Sequence, residues 1–201
     1  MTLKSTTVIG EIVEGEGGRY GGKIRVNDVV LGIIIPPKSI RRFEGIWLPS
    51  YKDVPGARSC FDSKANTIAM AEAGSPIAQK ALTVEHDGHK DFALAARDVV
   101  EVLYRNFKPG TQPNYSSYRS GDNASSVPVG YPYTPTEPAQ TRLALFQAGG
   151  EEAFDEEWVW TSTQSSTYPA FAQNFLNGTQ SALRKGTEFA AVFVRLIHFT
   201  S

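Results

Sequence analysis

The sequence predicts an α+β domain in which two or three helices cover one face of a twisted antiparallel sheet. Runs rich in aromatic and β-branched residues, at 158–164, 168–175 and 190–199, are separated by Ser/Thr-rich and Asn-Gly turns, as in an antiparallel meander. Two further runs, 23–26 and 29–35, predict a β-hairpin around Asn27-Asp28. The segment 97–107 carries one apolar stripe at helical spacing. The meander must bury one face, and the helical segments upstream are expected to cover it.

Composition limits the classes of function. The chain has 201 residues, which fits one domain, and 41% of them are hydrophobic, which allows a sizeable core. Lys and Arg number 20 against 21 Asp and Glu, so no basic field favours nucleic-acid binding. The single cysteine, Cys60, excludes an internal disulfide framework and is expected to be a small buried residue.

The N-terminal residues lack an apolar run of signal-peptide length, and no segment approaches the roughly 18 apolar residues of a membrane span. We therefore expect a soluble protein that is neither exported by the usual route nor inserted in a membrane. A strand-type run at 6–13 ends in the glycine-rich stretch 14–18. That stretch lacks the Gly-Lys-Ser/Thr ending of a phosphate loop and no helical pattern follows it, so it is predicted to be a flexible turn.

Helical spacing begins at Asn66 and continues to Leu82, with a break at Gly74-Ser75-Pro76. The clearest helix, 97–107, ends at Lys108-Pro109-Gly110. Asp98 and Glu101 fall in its first turns, so they are interpreted as stabilising the helix dipole rather than as a catalytic pair. The segment 111–138 has no periodicity and is predicted to be a long ordered loop, and a third short helix is predicted at 139–147.

Catalytic and metal-binding patterns are missing from the sequence. It contains no Gly-x-Ser-x-Gly, His-Glu-x-x-His, Walker or Rossmann motif, so no catalytic residue and no cofactor is predicted. His86 and His89 flank Asp87 and could ligate a metal, but without a third ligand nearby a solvated loop is the favoured interpretation. The acidic run 151–157 is expected to be solvated surface, with assembly contacts as the alternative.

Several short motifs occur in a recognisable order. They are Gly17-Gly18-x-Tyr20-x-Gly22, Gly56-Ala57-x-Ser59, Ala65-Asn66-Thr67, Ala73-Gly74-Ser75-Pro76-Ile77-Ala78, Arg97-Asp98-x-x-Glu101-x-Leu103-Tyr104-Arg105-Asn106-x-Lys108-Pro109, Trp160-x-Ser162-Thr163-Gln164, Phe175-x-Asn177-Gly178-x-Gln180 and Val194-Arg195. In this order the chain resembles the bacterial and phage C-type-lectin-like domain found at the C-terminus of collagen-like adhesins and in prophage tail-region proteins. It is more distantly similar to phage tropism determinants and formylglycine-generating enzymes. The resemblance covers residues 17–195.

The chain departs from these relatives at three places. Residues 92–96 replace the usual Trp-x-Leu-Pro-Ser before the main helix, so the serine N-cap is lost and packing is expected to fix the helix start. Cys60 has no partner for the cysteine pair on which formylglycine-generating enzymes depend. Residues 112–114 match the Glu/Gln-Pro-Asn/Asp triplet of calcium-dependent lectins, but 158–160 lack the accompanying Trp-Asn-Asp, so no metal is expected.

The resemblance implies a C-type-lectin-like fold with long loops on one side, residues 17–201, preceded by an N-terminal assembly strand or arm, residues 1–16. It also implies a virion protein at the tip of a phage tail or tail fibre, assembled in the host cytoplasm, that binds a host cell-surface glycan or protein without catalysis. A homo-oligomer is expected, and a trimer is favoured by analogy with other phage fibres. The alternatives are a structural virion assembly or decoration protein that contacts only other virion subunits, and, less favoured, a bacterial adhesin fragment.

The contact surface is expected on the exposed turns of the meander and the loop beside it, where tyrosine rings and amides would meet the ligand. The predicted ligand-binding residues are Tyr115, Tyr118, Tyr133, Gln164, Tyr168, Phe171, Gln173, Asn177 and Gln180. Phe171 and Gln173 alternate on a strand, so one of them is expected to face the core, more often the aromatic one.

Overall fold

The computed structural model describes residues 3–115, 119 and 122–200, which form an α+β fold with one large sheet. The described strands are β1 (Ile12–Val13), β2 (Gly18–Val26), β3 (Val29–Ile35), β4 (Arg42–Ile46), β5 (Ala93–Leu94), β6 (Trp158–Gln164), β7 (Pro169–Asn174), β8 (Gln180–Arg184) and β9 (Glu188–His198). The described helices are α1 (Lys38–Arg41), α2 (Ser63–Glu72), α3 (Pro76–Thr83) and α4 (Arg97–Phe107). Short 3-10 turns occur at Pro55–Ala57 and Ala144–Phe146.

The sheet runs in the order β1-β2-β3-β9-β6-β7-β8, and β4 and β5 also pair with β9. The predicted hairpin is confirmed as β2 and β3, and both turn residues have positive φ, 46° at Asn27 and 67° at Asp28, as a tight hairpin turn requires. The predicted meander is confirmed for β6 and β7 only, because its third strand is β8, which was not among the predicted runs. The expectation of a wholly antiparallel sheet is wrong, because β9 leaves the meander and pairs in parallel with β6.

The central strand β9 is buried on both faces, which explains its nearly continuous apolar sequence. Ala190, Val192 and Val194 contribute to a core cluster that includes the apolar stripe of α4. The alternate residues Ala191 and Phe193 contribute to a second cluster with residues of α2 and α3. The expectation that helices cover a single face is therefore wrong, since α4 lies on one face of the sheet and α2 and α3 lie on the other.

The three longer helices begin in different ways. Asp62 caps α2 by accepting from the Ala65 N–H at 2.9 Å, and Ser75 caps α3. The residue before α4, Ala96, cannot cap it. Instead the Arg97 N–H donates to Thr163 Oγ1 at 3.0 Å and the Asp98 N–H donates to the Cys60 carbonyl at 2.7 Å. Neighbouring elements thus replace the lost serine, in line with the expected role of packing.

The predicted helix at 139–147 is wrong apart from the single 3-10 turn at Ala144–Phe146. Its backbone bonds elsewhere: the Thr141 N–H donates to the Lys108 carbonyl and the Ala148 N–H to the Pro109 carbonyl, both at 2.9 Å. The Phe146 ring lies 4.3 Å from that of Phe107, centroid to centroid. Tertiary partners therefore override the local helical spacing.

The acidic run 151–157 was expected to be solvated surface, but three of its carboxylates form ion pairs within the chain. Glu152 forms an ion pair with the buried Arg41, and Asp155 pairs with Lys38 at 2.6 Å. The Arg42 guanidinium forms ion pairs with both Asp155 and Glu157, each at 2.7 Å. These carboxylates fix α1 and the start of β4, so their role is internal to this chain.

The N-terminal arm lies on the sheet of the same chain. Leu3 is fully buried and forms a bridge with Phe199, while β1 pairs with β2. The Arg195 guanidinium donates to the Glu16 carbonyl at 2.6 Å. No helix among the described residues is long and apolar enough to cross a membrane.

Candidate recognition surface

The predicted site residues fall into two groups at opposite ends of β7. Gln164 and Tyr168 lie at the β6–β7 turn, beside Lys185, and this region is called the Lys185 end. Tyr115, Tyr133, Phe171, Gln173, Asn177 and Gln180 lie toward the β7–β8 turn, beside Arg97, and this region is called the Arg97 end. Tyr118 is outside the described residues.

At the Lys185 end, Gln164 is buried and its amide is used four times. Its Oε1 accepts from the Val54 N–H at 3.0 Å and from Lys185 Nζ at 2.8 Å. Its Nε2 donates to the Val54 carbonyl at 2.8 Å and to Asp53 Oδ1 at 2.7 Å. One side chain therefore fastens the loop around residues 53–54 to the meander.

Lys185 is fully buried beside this amide. Its ammonium also donates to the Lys52 carbonyl at 2.9 Å and lies 4.7 Å from the centroid of the Trp47 ring. Burial lowers the pKa of Lys185 to about 8. The cation points inward and holds the Lys52 segment against the turn that carries Lys185.

An exposed aromatic pair lies at the same end. Tyr168 is 64% exposed and Tyr51 is 52% exposed, with ring centroids 5.7 Å apart. The Tyr168 carbonyl accepts from the Lys185 N–H at 3.2 Å, and the Ser165 and Ser166 N–H groups both reach the Pro169 carbonyl at 3.1 Å. Tyr168 thus presents its ring to solvent from a turn whose backbone is fixed.

At the Arg97 end, four side chains pass hydrogen bonds in one direction to a buried carboxylate. Arg97 Nε donates to Gln180 Oε1 at 2.7 Å, and Gln180 Nε2 donates to Gln173 Oε1 at 3.2 Å. Gln173 Nε2 donates to Tyr133 Oη at 3.3 Å, and that hydroxyl donates to Glu101 Oε1 at 3.0 Å. Bonds aligned in this way polarise one another, which favours a single rigid arrangement.

Glu101 is fully buried and accepts from several donors. Arg105 reaches it at 2.8 Å and Asn123 Nδ2 at 2.8 Å, in addition to Tyr133. Burial raises the pKa of Glu101, and the same burial together with this carboxylate raises that of Tyr133 well above its ordinary value. Arg105 stacks on the Tyr131 ring, 4.0 Å from its centroid. Glu101 is therefore the structural anchor of this end.

The exposure expected of three predicted amides is wrong, because Gln164, Gln173 and Gln180 are buried. Gln173 occupies the inward position at which an aromatic residue was favoured, since Tyr133 and Gln180 satisfy its amide there. Phe171 is half-buried, and the Arg97 guanidinium lies 3.9 Å from its ring centroid. The sequence shows the amides but not the partners that make their burial favourable.

Tyr115 and Asn177 meet at the β7–β8 turn. Tyr115 is 63% exposed, and its N–H donates to the Asn177 carbonyl at 2.8 Å. The half-buried Asn177 accepts from the Thr179 N–H at 3.1 Å through its own Oδ1, which shapes the turn. Tyr115 is thereby a second exposed ring on a fixed backbone, while Tyr133 is largely inward.

Sequence reasoning missed Arg97, Lys185 and Asp53. Arg97 was assigned only to a helix start, and Lys185 follows Arg184 in a Lys-Gly turn that has the composition of a solvated loop. No local signal marks these side chains, because Gln180 lies 83 residues from Arg97 and Lys52 lies 133 residues from Lys185. Cys60, expected to be buried, is half-exposed, and burial together with Asp98 raises the pKa of its thiol.

The His86-Asp87-Gly88-His89 segment forms a tight turn in which the two histidine backbones bond each other. His89 Nε2 lies 2.9 Å from the Gly15 carbonyl, which connects this turn to the N-terminal arm. Within the described ranges no three His, Cys, Asp or Glu side chains are grouped as metal ligands.

A scan of protein families and searches of curated proteins and of solved structures found no match for this chain.

Proposed function

We propose that this protein is a C-type-lectin-like component of a phage virion, at the tip of the tail or tail fibre, that recognises a host cell-surface glycan or protein without catalysis. One observation carries the proposal: Tyr168 and Tyr115 are more than 60% exposed on segments whose backbones are held by internal hydrogen bonds. A tyrosine presented in this way offers a large contact area and loses little side-chain entropy when it binds.

The motif resemblance supports the finer fold assignment. Ser162, Thr163 and Gln164 of the Trp-x-Ser-Thr-Gln motif are buried, where Thr163 closes the start of α4 and Gln164 holds the 53–54 loop. Asn177-Gly178 forms the β7–β8 turn, and Gly178 has φ 78°, in the left-handed region that favours glycine. The motif residues therefore have structural reasons to occur together.

The test is binding of the purified, fluorescently labelled chain to intact bacterial cells, with and without surface polysaccharide. Saturable binding is expected, and we expect Tyr168→Ala or Tyr115→Ala to weaken it. Leu82→Ala is the matched control, because Leu82 is 41% exposed on α3 and belongs to neither proposed surface. Undiminished binding by both tyrosine variants would contradict the proposed surface, and absence of cell binding across candidate hosts would contradict the function.

A second candidate is a virion assembly or decoration protein that contacts only other subunits. It is favoured by a separate set of exposed aliphatic side chains, Val8 at 67%, Ile12 at 54% and Val129 at 66%. Such residues are expected at interfaces between copies of this chain, for which a trimer remains the proposed state. If the chain forms a defined oligomer that Val8→Ser and Ile12→Ser dissociate, and no cell binding is seen, assembly becomes the leading function.

A further inference from the structure

Arg97 is held in one orientation at the surface of the Arg97 end. Its Nε donates to Gln180 Oε1 at 2.7 Å, and its guanidinium lies 3.9 Å from the centroid of the Phe171 ring. These contacts fix the plane of the guanidinium, while the residue as a whole stays half-exposed.

The positive charge of Arg97 has no carboxylate partner among the residues that the structure describes. By contrast, Arg41, Arg42, Arg58, Arg105, Arg119 and Arg195 each form an ion pair with Asp or Glu. A partly desolvated cation without a counter-charge gains from an external anion.

The nearest acidic group does not neutralise Arg97. The Asp98 carboxylate accepts from Arg119 Nη1 at 2.5 Å, and both side chains of that pair are largely buried. The second guanidinium adds to the local positive potential, and burial together with Arg119 lowers the pKa of Arg97. The side chains of Arg97, Arg119 and Asp98 together therefore carry a net charge of about +1.

We propose that Arg97, stacked on Phe171, is the anchor of a binding site for the carboxylate of an acidic sugar. This inference rests on the proposed function and names the class of receptor that it would bind. A guanidinium matches the two oxygens of a carboxylate, and its terminal nitrogens can donate parallel bonds when Nε is already used. Gln180 and Phe171 set the angle at which such a carboxylate is received.

A sugar is favoured over an acidic peptide by an exposed ring whose backbone is bonded to the residue before Gln180. Tyr115 is 63% exposed, and its carbonyl accepts from Thr179 Oγ1 at 3.4 Å. Thr179 directly precedes Gln180, the residue that holds Arg97. An aromatic face beside a carboxylate anchor suits a pyranose ring that carries an acid group, because the ring stacks while the acid binds the cation.

The experiment uses the full chain and titrates it by calorimetry with oligogalacturonate and with its methyl ester, which removes only the charge. We expect the acid to bind about tenfold or more tightly than the ester, as for hydrogen bonds to a charged group. Arg97→Gln should lose a similar factor, and Arg97→Lys should retain part of it. Arg25→Gln is the matched control, because Arg25 is exposed on β2 and its loss changes the net charge equally.

Equal affinity for acid and ester on the unaltered protein would overturn the proposal without relying on any variant. An equal loss in Arg25→Gln and Arg97→Gln would also overturn it, since general charge would then explain binding. Preference for an acidic peptide of the same charge would assign the site to another class of ligand and likewise overturn it. Thermal unfolding of each variant separates lost binding from lost folding.

The same samples separate this inference from the proposed function. If cells are bound but Arg97→Gln binds them as well as the unaltered chain, the carboxylate site fails and receptor recognition stands. If oligogalacturonate is bound through Arg97 but no cells are bound, receptor recognition fails and the carboxylate site stands.

Discussion

At the Lys185 end of the meander, the buried group is a cation that donates inward, to a backbone carbonyl and to Gln164. At the Arg97 end the buried group is a carboxylate, Glu101, and the cation that begins the hydrogen-bonded chain lies on a half-exposed ring. Both ends hold a turn that carries an exposed tyrosine. They differ in the direction of the cation, because the Lys185 ammonium points into the protein and the Arg97 guanidinium lies at the surface.

The two cations therefore have different roles: Lys185 fixes a loop, whereas Arg97 presents a charge to solvent. The inward lysine uses its interactions to fasten residues 52–54, so its own charge is not offered to solvent, and the rings of Tyr51 and Tyr168 are exposed beside it. The outward arginine offers a charge that has been oriented in advance. A ligand would therefore meet exposed aromatic rings at the Lys185 end and an oriented guanidinium at the Arg97 end.

The largest expected effect is at the anchor of the Arg97 end. Glu101→Gln removes the buried counter-charge of the partly buried Arg105 and should lower the free energy of unfolding by about 3 kcal/mol or more. Urea denaturation measures it. Glu85→Gln is the control, since Glu85 is an exposed partner of Lys90 and its replacement should change stability by about 0.5 kcal/mol or less. Similar losses in both variants would contradict the anchoring role.

The two ends can be compared through their amides. Gln164→Leu removes the acceptor of the Val54 N–H and one hydrogen bond each from Lys185 and the Val54 carbonyl, and should cost about 2–3 kcal/mol of unfolding free energy. Gln173→Leu breaks longer bonds, of 3.2 to 3.4 Å, and should cost about 1 kcal/mol. The reverse order in urea denaturation would show that the hydrogen-bonded chain of the Arg97 end is the stronger of the two.

The pH dependence of stability tests the inward cation. Lys185 has its pKa lowered from 10.5 to about 8, so between these values the unfolded chain binds the proton that the folded chain has released. Stability of the unaltered protein should therefore rise relative to Lys185→Met from pH 8 to 10.5, by at most about 1.4 kcal/mol per pH unit. Below pH 8 the difference should be constant. Parallel profiles in thermal denaturation across this window would show that burial does not disfavour the charged amine.

The smallest expected effect is at the exposed rings. Tyr51→Ala and Tyr168→Ala should each change the unfolding free energy by about 0.5 kcal/mol or less, because both rings are more than half exposed. A double-mutant cycle by urea denaturation measures the coupling between the two rings, which are tilted by 45°. A loss of several kcal/mol would mean that the pair supports the fold, and Tyr168 would then be a poor reporter of recognition.

Local pattern was sufficient to predict several elements. The stripe of Val99, Leu103 and Phe107 gave α4, and Asn27-Asp28 gave the β2–β3 turn, because helical spacing and left-handed turn residues act within a few positions. The position of β9 was not predictable in this way. An apolar run buried on both faces has no alternation from which its neighbours can be inferred.

The predicted recognition residues show the same division. The exposed Tyr115 and Tyr168 lie on turns, where Ser, Asn and Gly mark the surface. The amides of Gln164, Gln173 and Gln180 are buried because distant partners satisfy them, and their sequence neighbours do not reveal those partners. Composition thus indicates a surface of tyrosines, whereas the charge presented by Arg97 depends on tertiary contacts.

The position of β9 also has a consequence for synthesis on the ribosome. β9 comes last among the described strands, yet it pairs with β3, β4, β5 and β6 and fills the middle of the sheet. Until residues 188–198 emerge, the β2–β3 hairpin and the β6–β7–β8 meander have open edges where their shared neighbour belongs. Closure then requires contacts across more than 150 residues, such as Ile34 with Arg195, which makes slow folding after the emergence of β9 the expected route. A nascent chain stalled before Glu188 would be a substrate for chaperones and proteases.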